Sequence, residues 1–213
     1  MGKYHQGVLG QFSGTVGPVI GSSWKGIGYM RGKSRQLKNR AVSPKIEIQR
    51  AKFKLAANFV TTIKDLLPIG FPNFKDKMTS RNNALSNLLQ QAITGEYPDL
   101  RIEYSKVFMA IGSLSLTMNP AAGSAEPGVI KFTWKDGTGY GNAKATDKAV
   151  LIAFCESLDS CYFIVSNSVR SAETASLDVK HFSGKDVHTW ISFIAENGKG
   201  VATSSYTGLV KVA

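Results

Sequence analysis

Acidic residues are nearly missing from the first quarter of this 213-residue chain, and the whole of it holds three histidines and two cysteines. Between Met1 and Lys54 the only acid is Glu47, against eleven lysines and arginines, a local balance of +10 within a total of +11. Such a segment cannot neutralise itself through its own ion pairs, so it faces solvent, an acidic neighbour or a polyanion. His5, His181 and His188 form no H-x-x-x-H or H-E-x-x-H pattern, which excludes the helical zinc arrangement of metalloproteases. Two cysteines cannot supply a disulfide scaffold. Cys155 and Cys161 frame the expected turn of a hairpin; a disulfide would require them to lie opposite each other, and a reducing compartment favours two free thiols. No run approaches the ~18 apolar residues of a membrane helix, and the N-terminus lacks the apolar core of a signal peptide. The expected location is therefore cytoplasmic or particle-associated. There is no G-x-S-x-G elbow. The loop Gly137-Thr138-Gly139-Tyr140-Gly141-Asn142 lacks the Lys-Ser/Thr pair of a phosphate loop, and Asp147, Asp159, Asp178 and Asp186 fall in turns without a paired-carboxylate scheme. No catalytic, cofactor or metal residue is assigned, no small-molecule substrate is identified, and a non-enzymatic protein is expected.

What is present is ordinary for a folded chain: 43% hydrophobic and 19% charged residues. Three textures divide it. Residues 1–42 are rich in glycine and short β-type runs, which predicts an extended basic arm with interrupted strands. Its apolar side chains, above all Phe12, Val16, Ile20 and Trp24, need a surface to cover them, and they are the expected oligomer contacts. Residues 43–96 read as a helical hairpin. Ser43 and Pro44 open a helix whose stripe is Ile48, Leu55, Phe59, Ile63 and Leu66, closed by Pro68; a second amphipathic stretch, from Met78 through Leu85, Leu88, Leu89 and Ile93, stops at Gly95. Residues 97–213 change to strand period. Seven runs are expected, at 101–109, 128–135, 149–155, 161–165, 175–179, 188–195 and 206–212, giving an antiparallel β-sandwich of immunoglobulin or fibronectin type. The fold class is thus α+β.

The segment Ile130-Lys131-Phe132-Thr133-Trp134 resembles the second strand of fibronectin type III modules with its inward tryptophan, and Ile191 to Gly200 is similar to their penultimate strand and following turn. Thr189 stands where those modules carry a tyrosine. A wider resemblance rests on Met1-Gly2-Lys3, the run Gly10-Gln11-Phe12-Ser13-Gly14-Thr15-Val16-Gly17-Pro18-Val19-Ile20-Gly21-Ser22-Ser23-Trp24-Lys25-Gly26, Ala92 to Pro98 and Gly141 to Lys148. These look like an uncharacterised protein family from Bacteroidetes, a resemblance that implies a domain layout and no activity.

Three classes of function fit. The first is a structural protein that self-assembles as a homo-oligomer through its arm, as in a virus- or phage-like particle or other bacterial assembly. The second is a nucleic-acid-binding protein, with Arg31, Lys33, Arg35, Lys38 and Arg40, the densest positive charge in the chain, on phosphates. The third is a surface adhesion or ligand-binding module, suggested by the sandwich alone.

Overall fold

A computed structural model describes residues 3–4, 10–24, 26–34, 43–72 and 78–213. The chain divides into two compact units, Met1–Ser43 and Pro44–Ala213.

In the first unit, strands β1 (Lys3–Tyr4), β2 (Phe12–Val16), β3 (Val19–Trp24) and β4 (Ile27–Gly32) form an antiparallel sheet in the order β1-β2-β3-β4. The sequence suggested an extended arm with interrupted strands; these residues instead pair with one another. The glycines make this possible rather than preventing it. Gly17 and Gly26 stand in the tight turns at φ +57 and +81, which L side chains avoid.

The second unit opens with α1 (Pro44–Thr62), α2 (Leu67–Gly70) and α3 (Ser80–Gln91), followed by the small ladder of β5 (Ile93–Thr94) and β6 (Arg101–Ile102). Pro68 does not close the first helix. That helix ends at Thr62, and Pro68 sits in the first turn of α2, where a missing N–H costs nothing. The link from α1 to α3 is therefore longer than the short loop expected, and its residues 73–77 lie outside the described residues. The hydroxyl of Thr79 caps α3 by accepting from the amide of Asn82 at 3.2 Å.

Seven longer strands follow: β7 (Met118–Gly123), β8 (Val129–Lys135), β9 (Lys148–Cys155), β10 (Ser160–Val169), β11 (Thr174–Asp178), β12 (Asp186–Ile194) and β13 (Ser205–Lys211). They make a three-stranded sheet, β11-β8-β7, and a four-stranded sheet, β10-β9-β12-β13, with antiparallel pairing throughout. This is the strand order of a fibronectin type III sandwich. The run expected at 101–109 yields only the two residues of β6, then a 3-10 turn at Tyr104–Lys106; β7, with the sequence MNPAAG, is the strand that supplies the seventh place.

β9 shows where the core sits. Its sequence KAVLIAFC does not alternate, the signature of a strand buried on both faces. Ala149, Leu151, Ala153 and Cys155 face the smaller sheet and pack with Ile130, Phe132, Trp134, Ile191 and Phe193. Val150, Ile152 and Phe154 face the other way, with Trp190, into a cluster built by Ala56, Phe59, Val60, Ile63, Leu66, Leu88 and Met109. The helical segment and the sandwich thus share a core across one sheet. The indole N–H of Trp190 donates to the carbonyl of Val107 at 3.0 Å, which satisfies the one polar atom of a fully buried side chain.

The same alternation settles the cysteines. Cys155 pairs with Ser160, and Cys161 with Phe154, so the two thiols lie on opposite faces of the sheet and are free. Burial pushes the Cys161 thiol up to about 12.

Candidate interaction surface

Pairing in the first unit assigns each side chain to a face. Trp24 pairs with Ile27, Ser22 with Tyr29, Ile20 with Arg31 and Thr15 with Ile20, so one face carries Ile20, Trp24, Ile27, Tyr29 and Arg31. Val16 pairs with Val19 and Gly21 with Met30, on the opposite face, where the ring of Phe12 lies over Gly21. The four expected contact residues therefore do not form one patch. Phe12 and Val16 belong to one side; Ile20 and Trp24 belong to the other. Tyr29 and Ile27, apolar residues of the same segment outside the four expected contacts, complete the second set; that they share this face becomes visible only once the β3–β4 register is known.

That second face leaves large apolar area open. Trp24 is 44% exposed, Ile27 60% and Tyr29 46%, while Met30 on the reverse reaches 71%. Of the expected phosphate contacts, Arg31 is exposed on the Trp24 face, and Lys33 follows β4, its amide donating to the carbonyl of Pro18 at 2.7 Å. Arg35, Lys38 and Arg40 lie outside the described residues, as does His5.

Two polar constellations in the second unit were not legible beforehand. The first centres on Arg170, whose side chain is 1% exposed. Its Nε lies 3.3 Å from Asp147 Oδ2, Nη1 and Nη2 donate to the carbonyls of Leu116 and Ser115, and the guanidinium stacks 3.9 Å over the Phe193 ring. Burial lowers the Arg170 pKa against the opposing pull of Asp147. The indole of Trp134 donates to the Arg170 carbonyl at 2.7 Å, so this arginine locks the loops at one end of the sandwich. Beside it lies an open groove of about 530 Å³ lined by Asn142, Lys144, Asp147, Glu196, Asn197 and Lys199. The glycine-rich loop reaches this end too, its Asn142 accepting from the amide of Ser115 at 2.8 Å.

The second centres on His188. Its Nδ1 shares a 2.8 Å hydrogen bond with the phenol of Tyr206, and its ring stacks on Tyr104 at 4.1 Å. Burial lowers the His188 pKa, opposed by Glu156 and Asp186; burial and Glu156 together raise that of Tyr104. A shallow depression of about 570 Å³ lined by Glu156, Lys185, Asp186, His188 and Leu209 adjoins it. Among the described residues no three His, Cys, Asp or Glu side chains converge as metal ligands. Asp178 pairs with Lys180 in a turn at 3.0 Å, and Asp159 accepts from the hydroxyl of Thr62 at 3.2 Å. No helix is long and apolar enough to cross a membrane among the described residues.

The chain is similar to the fibronectin type III domain of the human collagen alpha-1(XX) chain, at 16% identity and a TM-score of 0.36, over 46% of this chain and 85% of that one. It is likewise similar to the FN1–FN3 domains of chicken CNTN1, at 8% identity and 0.38, over 48% and 35%. A myokine structure matches at 12% identity and 0.36, over 47% and 98%. No curated protein matches. Across residues 11–208, nearly the whole length, the sequence fits a single family model, and the chain belongs to the family of unknown function DUF6266.

Proposed function

We propose that this protein is a non-enzymatic structural module that assembles with further copies of itself through its N-terminal sheet, as a subunit of a particle or other bacterial assembly. The observation that carries this reading is the face of Ile20, Trp24, Ile27 and Tyr29, on a sheet that forms a unit of its own. Aromatic and branched side chains so placed dominate interface energies, and contiguous exposed apolar patches mark association sites. Replacing Trp24 and Ile27 together by serine tests it. Light scattering after size exclusion, with electron microscopy, is expected to show large regular particles for the natural chain and their loss in the variant. Unchanged particle size in the variant would reject the reading.

A second reading draws on Tyr29 and Arg31, two positions apart on the face that also holds Trp24. Aromatic rings beside a cation suit single-stranded nucleic acid, with bases stacked and phosphate neutralised. Purified material would then carry excess absorbance at 260 nm, removed by salt with a slope of about −0.7 per phosphate contacted. A protein-only spectrum after low-salt purification rejects it.

A further inference from the structure

The sandwich has four edge strands, and three carry devices that discourage pairing with another chain. β7 contains Pro120 and a register irregularity between Met118 and Ala121. β13 has an irregularity opposite Thr189 and Trp190 and ends in the exposed Lys211. β11 is five residues long and is bracketed by Glu173 and Asp178. Proline, bulges, charge and short length are the usual protections of a sheet edge. β10 also shifts register, between Val165 and Val169, but it differs in charge and length: ten residues long, it reads SCYFIVSNSV, with no charged residue and no proline, and its pairing with β9 is regular over the six residues Ser160 to Val165. Among the described residues, none of the backbone groups of 161–165 hydrogen bonds outside the β9 ladder. Tyr162 and Ile164 stand 40% and 42% exposed on its sandwich side, while Cys161, Phe163 and Val165 pack on the helical side.

We propose that β10 is a strand-pairing edge through which two copies of this chain join, β10 against β10, antiparallel about a two-fold axis at Phe163. The pattern of the strand itself selects this occupant: paired about Phe163, the uncharged residues Ser160 to Val169 meet no like charge on the second strand, and nearly all of the chain's net charge lies elsewhere, between Met1 and Lys54. A two-fold normal to the sheet keeps helices beside helices and sandwich beside sandwich, so one sheet runs through both copies. About Phe163, Tyr162 faces Ile164 of the second copy, an aromatic against a β-branched side chain, and Cys161 faces its Val165. The ladder satisfies the unpaired backbone groups, and the cross-strand pairs cover the two exposed side chains. This contact is separate from the N-terminal sheet and does not rest on its reading.

The full chain carrying Trp24→Ser and Ile27→Ser serves as background, so that the two interfaces are read apart. Sedimentation is expected to give the mass of two chains there, and Ile164→Lys, an exposed substitution, is expected to halve it while circular dichroism stays unchanged. In the same background Tyr162→Cys with Ile164→Cys is expected to give a covalent dimer on mild oxidation, reversed by reductant, because facing residues in antiparallel strands lie within disulfide reach. A background protein that sediments as one chain, a dimer that survives Ile164→Lys, or failure of the cysteine pair to cross-link would overturn the proposal.

Discussion

Two four-stranded antiparallel sheets occur in this chain, and they are opposites. The sheet β10-β9-β12-β13 is clothed by helices on one side and by a second sheet on the other, and its side chains are large: Phe154, Ile152, Trp190 and Phe193. The sheet β1-β2-β3-β4 has glycine at positions 14, 21, 28 and 32 in its strands and exposes its tryptophan, isoleucine, tyrosine and methionine. Regular hydrogen bonding does not separate them: the ladders of the exposed sheet run without the register shifts that the covered sheet shows in β10 and opposite β13. A ladder fixes register; only a second layer converts side chains into a core, because a backbone bond contributes a modest net free energy and burial contributes most of the rest.

Tryptophan occurs in both sheets, which gives the largest test of this contrast. Trp190→Ala, at a fully buried side chain, is expected to lower the unfolding free energy by about 3–5 kcal/mol, whereas Trp24→Ala, at a side chain 44% exposed, should cost less than half as much. Urea melts followed by circular dichroism would show it, and comparable losses would mean that exposure does not separate the two tryptophans. Next comes the ion pair that locks the sandwich loops. Asp147→Ala strands a buried guanidinium and is expected to cost about 3 kcal/mol, with Arg170→Met added to it recovering a substantial part. A double variant no more stable than Asp147→Ala would show that the arginine's carbonyl contacts, not its charge, set the loops.

The smallest effect is a pH dependence confined to the covered sheet. Because the folded state lowers the His188 pKa, the unfolded chain binds more protons below its ordinary value of 6.5. The contribution is complete above that value and is lost as pH falls through the folded pKa. Denaturation midpoints should therefore decline as pH falls below His188's ordinary value of 6.5, and His188→Gln should flatten that decline relative to the natural chain. An unaltered slope would place the titrating group elsewhere.

Period-2 patterning made the sandwich readable wherever one face meets solvent: Ile130, Phe132 and Trp134 alternate with exposed Lys131, Thr133 and Lys135, as the sequence suggests. It was silent about the helical layer. The unbroken run Ala149–Cys155 is the signal that a second layer exists, since a strand without polar positions has no face for water. β7 escaped because Met118-Asn119-Pro120-Ala121-Ala122-Gly123 has neither bulk nor alternation; its place is decided by its partner β8. The Arg170 constellation could not be foreseen either, as Asp147, Leu116 and Phe193 reach it from three distant stretches of chain. In the N-terminal sheet apolar content was legible, but the face of each residue depends on register, and turns at Gly17 and Gly26 set that register.

β9 is bounded by β10 and β12 at its edges and by apolar side chains above and below. Water can reach its amides only when the whole 44–213 unit opens, so their deuterium uptake is a clock for global unfolding. The outer amides of β10 lie at the edge of that sheet and should exchange through local fraying, unless a second copy has closed over them. Slow uptake along β10 at high protein concentration, and fast uptake on dilution, would make assembly visible residue by residue.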